Sequence, residues 1–389
     1  MPLKILMMAD TPADPNRGAA GTEVQTARAL QAIGHEVDTF WAEDLGRRIR
    51  HGNLHLLLEL PYTYERAAVA ALRRKTYNVV HANQPHGYRA ARAVHRISPQ
   101  TAFIHRSHGF ELNVEATLRP WRKAFGSDER GAIRRIASGA IAPLLSRHAH
   151  AIARDADGHI VSSSLDSAFL QECLGVAAER IAVIPQAVPD SFAGDEPPSM
   201  DSARLHRVLH VGQFAFVKAP MITAAAINRL AEADRRLQFT WVCDPNSETA
   251  VRALLTAGAN ERLDVLPWTT QDALRDVYDA HGIFLFPSFF EGFGKAFLEA
   301  MSRGLCVMAS DVGGMHDIIE NGRNGVLVSP GDANALADAA LTFTRDPDRA
   351  GAMSLAATTT ARRHTWDRVA RETADFYRVR LSALDAMRR

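Results

Sequence analysis

The sequence predicts an α/β protein made of two doubly wound parallel sheets that face a common cleft. Three observations carry that expectation. Short apolar runs alternate with helix-period segments along almost the whole chain. The alternation lapses once, in the proline-rich "PDSFAGDEPPSM", and then restarts. At 389 residues the chain is also too long for one ordinary hydrophobic core.

The elements follow in order. "LKILMMA" reads as a buried first strand, and "TEVQTARALQAIG" as a helix with Val24, Ala27, Leu30 and Ile33 on its apolar face. Gly34 is placed to end that helix before the strand "HEVDTF". "YNVVHA", "TAFIHRS", "GHIVSS" and "RIAVIPQA" continue the first half; "RVLHVGQF", "QFTWVCD", "RLDVLPW", "GIFLFPS", "LCVMAS" and "NGVLVSP" make the second. Strands that alternate with helices in this way form parallel sheets covered on both faces. The expected boundaries are a first domain over 1–188, a linker over 189–205, a second domain over 206–365 and a final amphipathic helix over 366–389. Ligands of open α/β sheets bind outside the carboxyl ends of the strands, so function is sought there.

Composition narrows the class. Apolar residues make up 47% and the net charge is +1, which gives no reason to expect bulk nucleic-acid binding. Cys173, Cys243 and Cys306 match no zinc spacing and read as buried reduced thiols. His105 and His108 are not a convincing zinc pair, so no metal site is expected. The apolar part of "MPLKILMMAD" is too short for a signal peptide and no run is long enough to span a membrane. A cytoplasmic or membrane-peripheral protein is the expectation.

The chemistry concentrates in "FPSFFEGFGKAFLEAMSRG". Here a buried strand leaves through Glu291-Gly292-Phe293-Gly294 into a helix closed by Gly304. Glycines at a helix N-terminus let backbone N–H groups approach an anion such as phosphate. Glu291 precedes the helix, and Glu299 lies one turn past Lys295 on the same face. Carboxylates at those places can accept hydrogen bonds from vicinal hydroxyls, so together they suit a sugar nucleotide. The residues alone also allow a plainer reading, in which Glu291 only complements the helix dipole, worth about 0.3–1 kcal/mol.

"EGFGKAFLEA" resembles the E-x7-E signature of family 4 retaining glycosyltransferases of the GT-B fold, with two Rossmann-like domains. The similarity continues through "ASDVGGMHDIIENGRNGVLVSPGD", and upstream "GTEVQTARALQAIGHEV", "HGFE", "IAVIPQAV" and "VGQFAFVK" fall in family order. The resemblance implies that Glu299 binds ribose hydroxyls and Glu291 the hydroxyls of the transferred sugar. It places backbone amides around Gly292, Phe293, Gly294 and Lys295 on sugar and diphosphate, Lys218 on the diphosphate, and Gly21 in a loop over it. It sets His108 beside the donor sugar near the reacting centre. It implies that the final helix crosses back to pack on the first domain. Retention without a metal or other cofactor follows from the same likeness, the departing phosphate helping to remove the acceptor's proton.

Several residues depart from the family pattern. Gln213 stands where an arginine is usual, and losing one preorganised donor to a leaving group costs ~2.7–4 kcal/mol. Another basic side chain is expected to substitute. Gln186-Ala187 replaces an Asn-Gly pair, and Trp268 follows Pro267 where a glycine is frequent near the base. Trp268 either stacks on the base or belongs to the core. The acceptor is expected on the first half, where "RPWRKAFGSDERGAIRRIASGA" sets Arg119, Arg122, Lys123, Arg130, Arg134 and Arg135 around Trp121 and Phe125. Basic residues beside exposed aromatics suit an anionic membrane face or a phosphorylated acceptor, and a solvated helix face equally. The leading function is transfer of a sugar from a nucleoside diphosphate sugar to a hydroxyl acceptor, in cell-surface polysaccharide, lipopolysaccharide or glycolipid synthesis. The alternatives are a catalytically impaired binding protein and a GT-B-like epimerase.

Overall fold

The computed structural model describes residues 1–15, 18–109, 111–125 and 132–388. Among these the chain divides into two compact units: 1–116, 132–186 and 366–388 form the first, and 117–125 with 187–365 the second.

The first unit holds a six-stranded sheet in the order β2-β1-β3-β4-β5-β6. Its strands are β1 (Lys4–Met8), β2 (Glu36–Phe40), β3 (Val79–Asn83), β4 (Ala102–Arg106), β5 (Gly158–Val161) and β6 (Ile181–Val183). Every pairing is parallel. That accounts for the unbroken apolar runs: β3, β4 and β5 are buried at every position, as strands covered on both faces must be. The last helix, Trp366–Arg388, belongs to this unit and packs on the first helix, Gly18–Ala32, and on β4. Gly158 in β5 admits it: a Cβ there would stand 2.8 Å from the Phe376 ring and 3.0 Å from Arg380 Cγ.

The second unit repeats the plan in the order β12-β11-β10-β7-β8-β9, again all parallel. Its strands are β7 (Arg207–Val211), β8 (Gln238–Cys243), β9 (Leu263–Pro267), β10 (Ile283–Phe286), β11 (Cys306–Ser310) and β12 (Val326–Val328). Alternate residues divide the core between the sheet's faces. Ile283, Leu285, Trp241, Cys306 and Met308 fill one side; Phe284, Phe286, Val242, Val307 and Ala309 fill the other.

Two expectations need correcting. The stretch 189–205 is not a free linker, because its few apolar and basic side chains are built into the second unit. Phe192 is 2% exposed and meets Tyr278 edge-on, and Arg204 donates to the carbonyl oxygens of His281 and Arg303. Cys173 is exposed rather than buried, since it lies at the end of a surface helix, while Cys243 and Cys306 are buried in their strands.

Replacing Gly158 by valine forces the last helix off β5. It is expected to lower the unfolding free energy by about 1–3 kcal/mol, the usual range for overpacking, measured by urea denaturation.

Candidate active site

Each sheet reverses its strand order once. In the second unit the reversal lies between β7 and β10: the chain runs outward from β7 to β8 and β9 on one side, and from β10 to β11 and β12 on the other. The loops that leave two such strands diverge and open a crevice at their carboxyl ends. Lys218 comes from the loop after β7 and Glu291 from the loop after β10. They meet there, Nζ to Oε1 at 2.5 Å. The two loops are also joined by the backbone, Phe289 N–H donating to the Val217 oxygen at 2.9 Å.

Glu291 is buried, and Ser288 Oγ donates to the same Oε1 at 2.7 Å. Oε2 thus keeps its place at the strand ends outside both bonds. Lys218 Nζ also lies 5.6 Å from the centre of the Phe286 ring. Gly294, with φ 91°, caps the helix Lys295–Ser302 in a conformation that a side chain would strain. Glu299, half-buried on that helix, accepts a hydrogen bond from Tyr278 OH at 3.1 Å on Oε2. Burial raises its carboxyl above the ordinary range, with the Lys295 charge and the Tyr278 hydroxyl working against it.

Residues that sequence reasoning passed over hold this loop. A Cβ on Gly313 would stand 2.5 Å from the Glu291 carbonyl oxygen, and one on Gly314 would stand 2.4 Å from the Phe293 ring. Gly314 N–H donates to the Phe293 oxygen at 3.1 Å. The adjacent glycines after β11 were the available signal. Ser288 and Tyr278 left none, because their roles depend on which strands are neighbours.

Gln213 is exposed at the end of β7. Trp268 is 41% exposed, so it is not a core residue, and its Nε1 donates to Asp244 Oδ1 at 3.0 Å. Trp121 stacks nearly flat on buried Phe289, centroids 4.7 Å apart and planes 11° apart, rather than projecting into solvent. Arg122, beside it, lies over the Phe216 ring at 6.0 Å, against the loop that carries Lys218. Arg119 and Lys123 are exposed. Arg130 and the side chains of Arg134 and Arg135 lie outside the described residues.

In the first unit the reversal lies between β1 and β3. Gly21 is in the first helix rather than in the expected loop; a Cβ there would stand 2.3 Å from the Pro15 carbonyl oxygen of the segment leaving β1, so the glycine is needed for close packing at the helix start. His108 follows β4. Its side chain is 2% exposed and its Nε2 lies 2.7 Å from Glu23 Oε1. Burial opposes charge on Glu23, but hydrogen bonds from His108 and His81 and the nearby charge of Arg106 outweigh it and hold the carboxyl well below the ordinary range. The structure therefore brings together Lys218, Glu291, Gly292, Phe293, Gly294, Lys295 and Glu299 in one unit, and Gly21 and His108 in the other. Among the described residues no group of three or more His, Cys, Asp or Glu is arranged to hold a metal ion.

Two parallel doubly wound sheets, with carboxylates and a lysine at the switch point of the second, define a two-domain α/β protein of Rossmann-like type. Residues 17–192 match the model for Glycosyltransferase Family 4 and residues 206–346 that for Glycosyl transferases group 1. This chain belongs to the family 4 glycosyltransferases. It is 27% identical over 246 residues to a D-inositol 3-phosphate glycosyltransferase of Nocardia farcinica, an alignment covering 59% of this chain and 54% of that one. The chain thus spans about half the length of the curated relatives it matches. Among solved structures, sucrose-phosphate synthase from Thermosynechococcus elongatus superposes with TM-score 0.72 at 22% identity, covering 98% of this chain and all of that one. Anabaena HepE in complex with UDP and glucose gives 0.67 at 19% identity, covering 96% and 98%. These likenesses establish the GT-B fold.

The raised Glu299 carboxyl carries a sign that can be tested. A group whose pKa is higher folded than unfolded stabilises the protein below its ordinary value of 4.5 and loses that contribution as pH rises through the folded value. Glu299→Gln stays neutral throughout. Its stability relative to the wild type is expected to grow as pH rises from about 4 and then level off, followed by urea denaturation across that range.

Proposed function

We propose that this protein is a retaining, metal-independent hexosyltransferase that moves a sugar from a nucleoside diphosphate sugar to a hydroxyl acceptor. The observation that carries the proposal is the meeting of Lys218 and Glu291 at the β7/β10 switch point, with Glu299 one helix further on. Lys218 neutralises diphosphate charge. Glu291 Oε2 accepts from hydroxyls of the transferred sugar and Glu299 from those of ribose, while the amides at the start of the Lys295–Ser302 helix receive the diphosphate. The second unit is the donor side and Trp268 lies near the base.

Both glutamates serve as donor-side hydroxyl ligands, so neither is the nucleophile of the two-carboxylate scheme. Retention then proceeds by front-face substitution: the C1–O bond to phosphate breaks, the acceptor oxygen bonds to C1 from the same side, and its proton passes to the departing phosphate oxygen. The chain's part is positioning and neutralisation. Gln213 supplies no charge, and Arg122, placed over Phe216 beside the Lys218 loop, is the cation assigned to supplement Lys218.

UDP is the proposed nucleotide, supported by the complex of HepE with UDP and glucose. We assign the acceptor to cell-surface polysaccharide, lipopolysaccharide or glycolipid synthesis, with the exposed Arg119 and Lys123 facing an anionic membrane surface. Among the described residues no helix is long and apolar enough to cross a membrane. A phosphorylated polyol is a second acceptor class, favoured by the name of the inositol-phosphate relatives.

A panel of UDP-, GDP-, ADP-, CMP- and TDP-sugars tests the donor. At a hundred times its dissociation constant a ligand adds about 2.7 kcal/mol, several degrees in Tm. UDP-sugars are expected to give that shift, Glu299→Gln and Lys218→Ala to abolish most of it, and Arg122→Ala to reduce it. A wild-type protein unmoved by every nucleotide sugar overturns the proposal in favour of an impaired relative.

A further inference from the structure

In the first unit, a helix after β2 turns part of its apolar side outward. Gly52–Leu54, His55–Glu59 and Leu60–Arg74 run on without a break, the middle segment being a π turn. Pro61 is the local reason for the wider turn: it has no N–H to give, and its ring would crowd the carbonyl of Leu57. Leu57, Leu60 and Tyr64 face inward and are buried. Leu54, Leu58 and Tyr62 stand four apart and are 42%, 51% and 54% exposed. Four residues fall a little short of one π turn and run a little beyond one α turn. The two steps offset, and the three exposed side chains lie along one line.

The segment that leads into this helix is basic. Arg47, Arg48 and Arg50 are exposed, and among the described residues no carboxylate pairs with the guanidinium of any of them. Glu59, the acid on the adjoining turn, is otherwise engaged. Arg48 N–H and Ile49 N–H donate to its two oxygens at 2.9 and 2.8 Å, and His55 Nδ1 lies 2.8 Å from it. Arg47 donates to the carbonyl oxygens of Ile49 and Arg50 at 2.9 and 2.7 Å. The loop is thus pinned beside the helix while its positive charge stays in solvent. At the other end of the line, Arg66 is exposed one turn past Tyr62, and Arg89, paired with Glu65, lies 4.1 Å from the centre of the Tyr62 ring. Over 47–74 six arginines stand against two glutamates, so the face is net basic.

A line of leucines and a tyrosine between basic ends fits one kind of partner. The outer face of a helix is a ridge, with no cavity in which to seat a peptide. A second copy of the chain would set the same arginines against one another, because the contact of a two-fold dimer is self-complementary. A lipid interface takes the leucines at acyl depth, the tyrosine at headgroup level and the arginines against anionic headgroups. We propose that this face, Leu54, Leu58 and Tyr62 with Arg47, Arg48 and Arg50, docks the first unit on an anionic lipid surface. It is separate from Arg119 and Lys123, which belong to the second unit, and it stands without the transferase reading.

The experiment sediments the full chain with phosphatidylcholine vesicles that carry or lack phosphatidylglycerol, with no donor or acceptor present. The expected result is binding to the anionic vesicles alone, weakening as salt is added. Each arginine at such a surface contributes about fivefold, so Arg47→Glu, Arg48→Glu and Arg50→Glu together should weaken binding on the order of 100-fold or more. Leu54→Ser with Leu58→Ser should weaken it about tenfold or more at an unchanged Tm, since both side chains are exposed. In Leu58→Trp, brominated lipid should quench emission that the wild type lacks. No binding to anionic vesicles, equal binding to both kinds, or folded arginine and leucine variants that bind as the wild type does each overturn the proposal. So does a loss confined to Arg119→Glu with Lys123→Glu, which moves the lipid contact to the second unit. A wild-type dimer that Leu54→Ser with Leu58→Ser splits overturns it in favour of a second copy. If a multiple variant does not fold, the salt dependence and the quenching of Leu58→Trp decide.

Discussion

The second unit depends on one adjacency. β7 and β10 pair in parallel although helices and two further strands intervene in the chain. Because they are neighbours that lead the chain in opposite directions across the sheet, their loops part at the carboxyl ends, and Lys218 and Glu291 face each other across that gap. Their ion pair is the electrostatic centre of the site. Ser288 shares its oxygen, Phe289 ties the loops through the backbone, and the Gly313-Gly314 pair clears the space that Glu291 and Phe293 require.

A half-buried pair of this kind is not chiefly a source of stability, since desolvating two charges offsets most of their attraction. Its use is preorganisation. Lys218 and Glu291 are held at the strand ends in a fixed relation to one another, with Ser288 on the shared oxygen. Glu299 follows the same logic. Burial makes its ionised form costly, and the Lys295 charge and the Tyr278 hydroxyl offset part of that cost.

The first unit solves a related problem with neutral and charged groups together. Glu23 stays ionised in a solvent-excluded place only because His108, His81 and Arg106 surround it. The Tyr377 hydroxyl joins the last helix to that cluster through His81. The helix closest to the end of the chain thereby reaches the loop that carries His108, and Gly158 is the small residue that lets it lie close enough.

Much of this was legible in the sequence because it is local. Apolar runs of strand length between helical patterns determine parallel sheets, since only strands covered on both faces are apolar throughout, and a glycine turn ahead of an apolar-periodic segment marks the start of a helix. What only the tertiary structure decided is non-local. The segment 189–205 reads as a linker by composition, yet Phe192 and Arg204 are claimed by cores that lie far along the chain. Trp121 reads as an exposed aromatic until Phe289 lies flat against it. Ser288 and Tyr278 carry no motif that explains their hydrogen bonds, because a hydrogen-bond partner is specified by which elements become neighbours, and residues distant in the chain have no spacing from which that can be read.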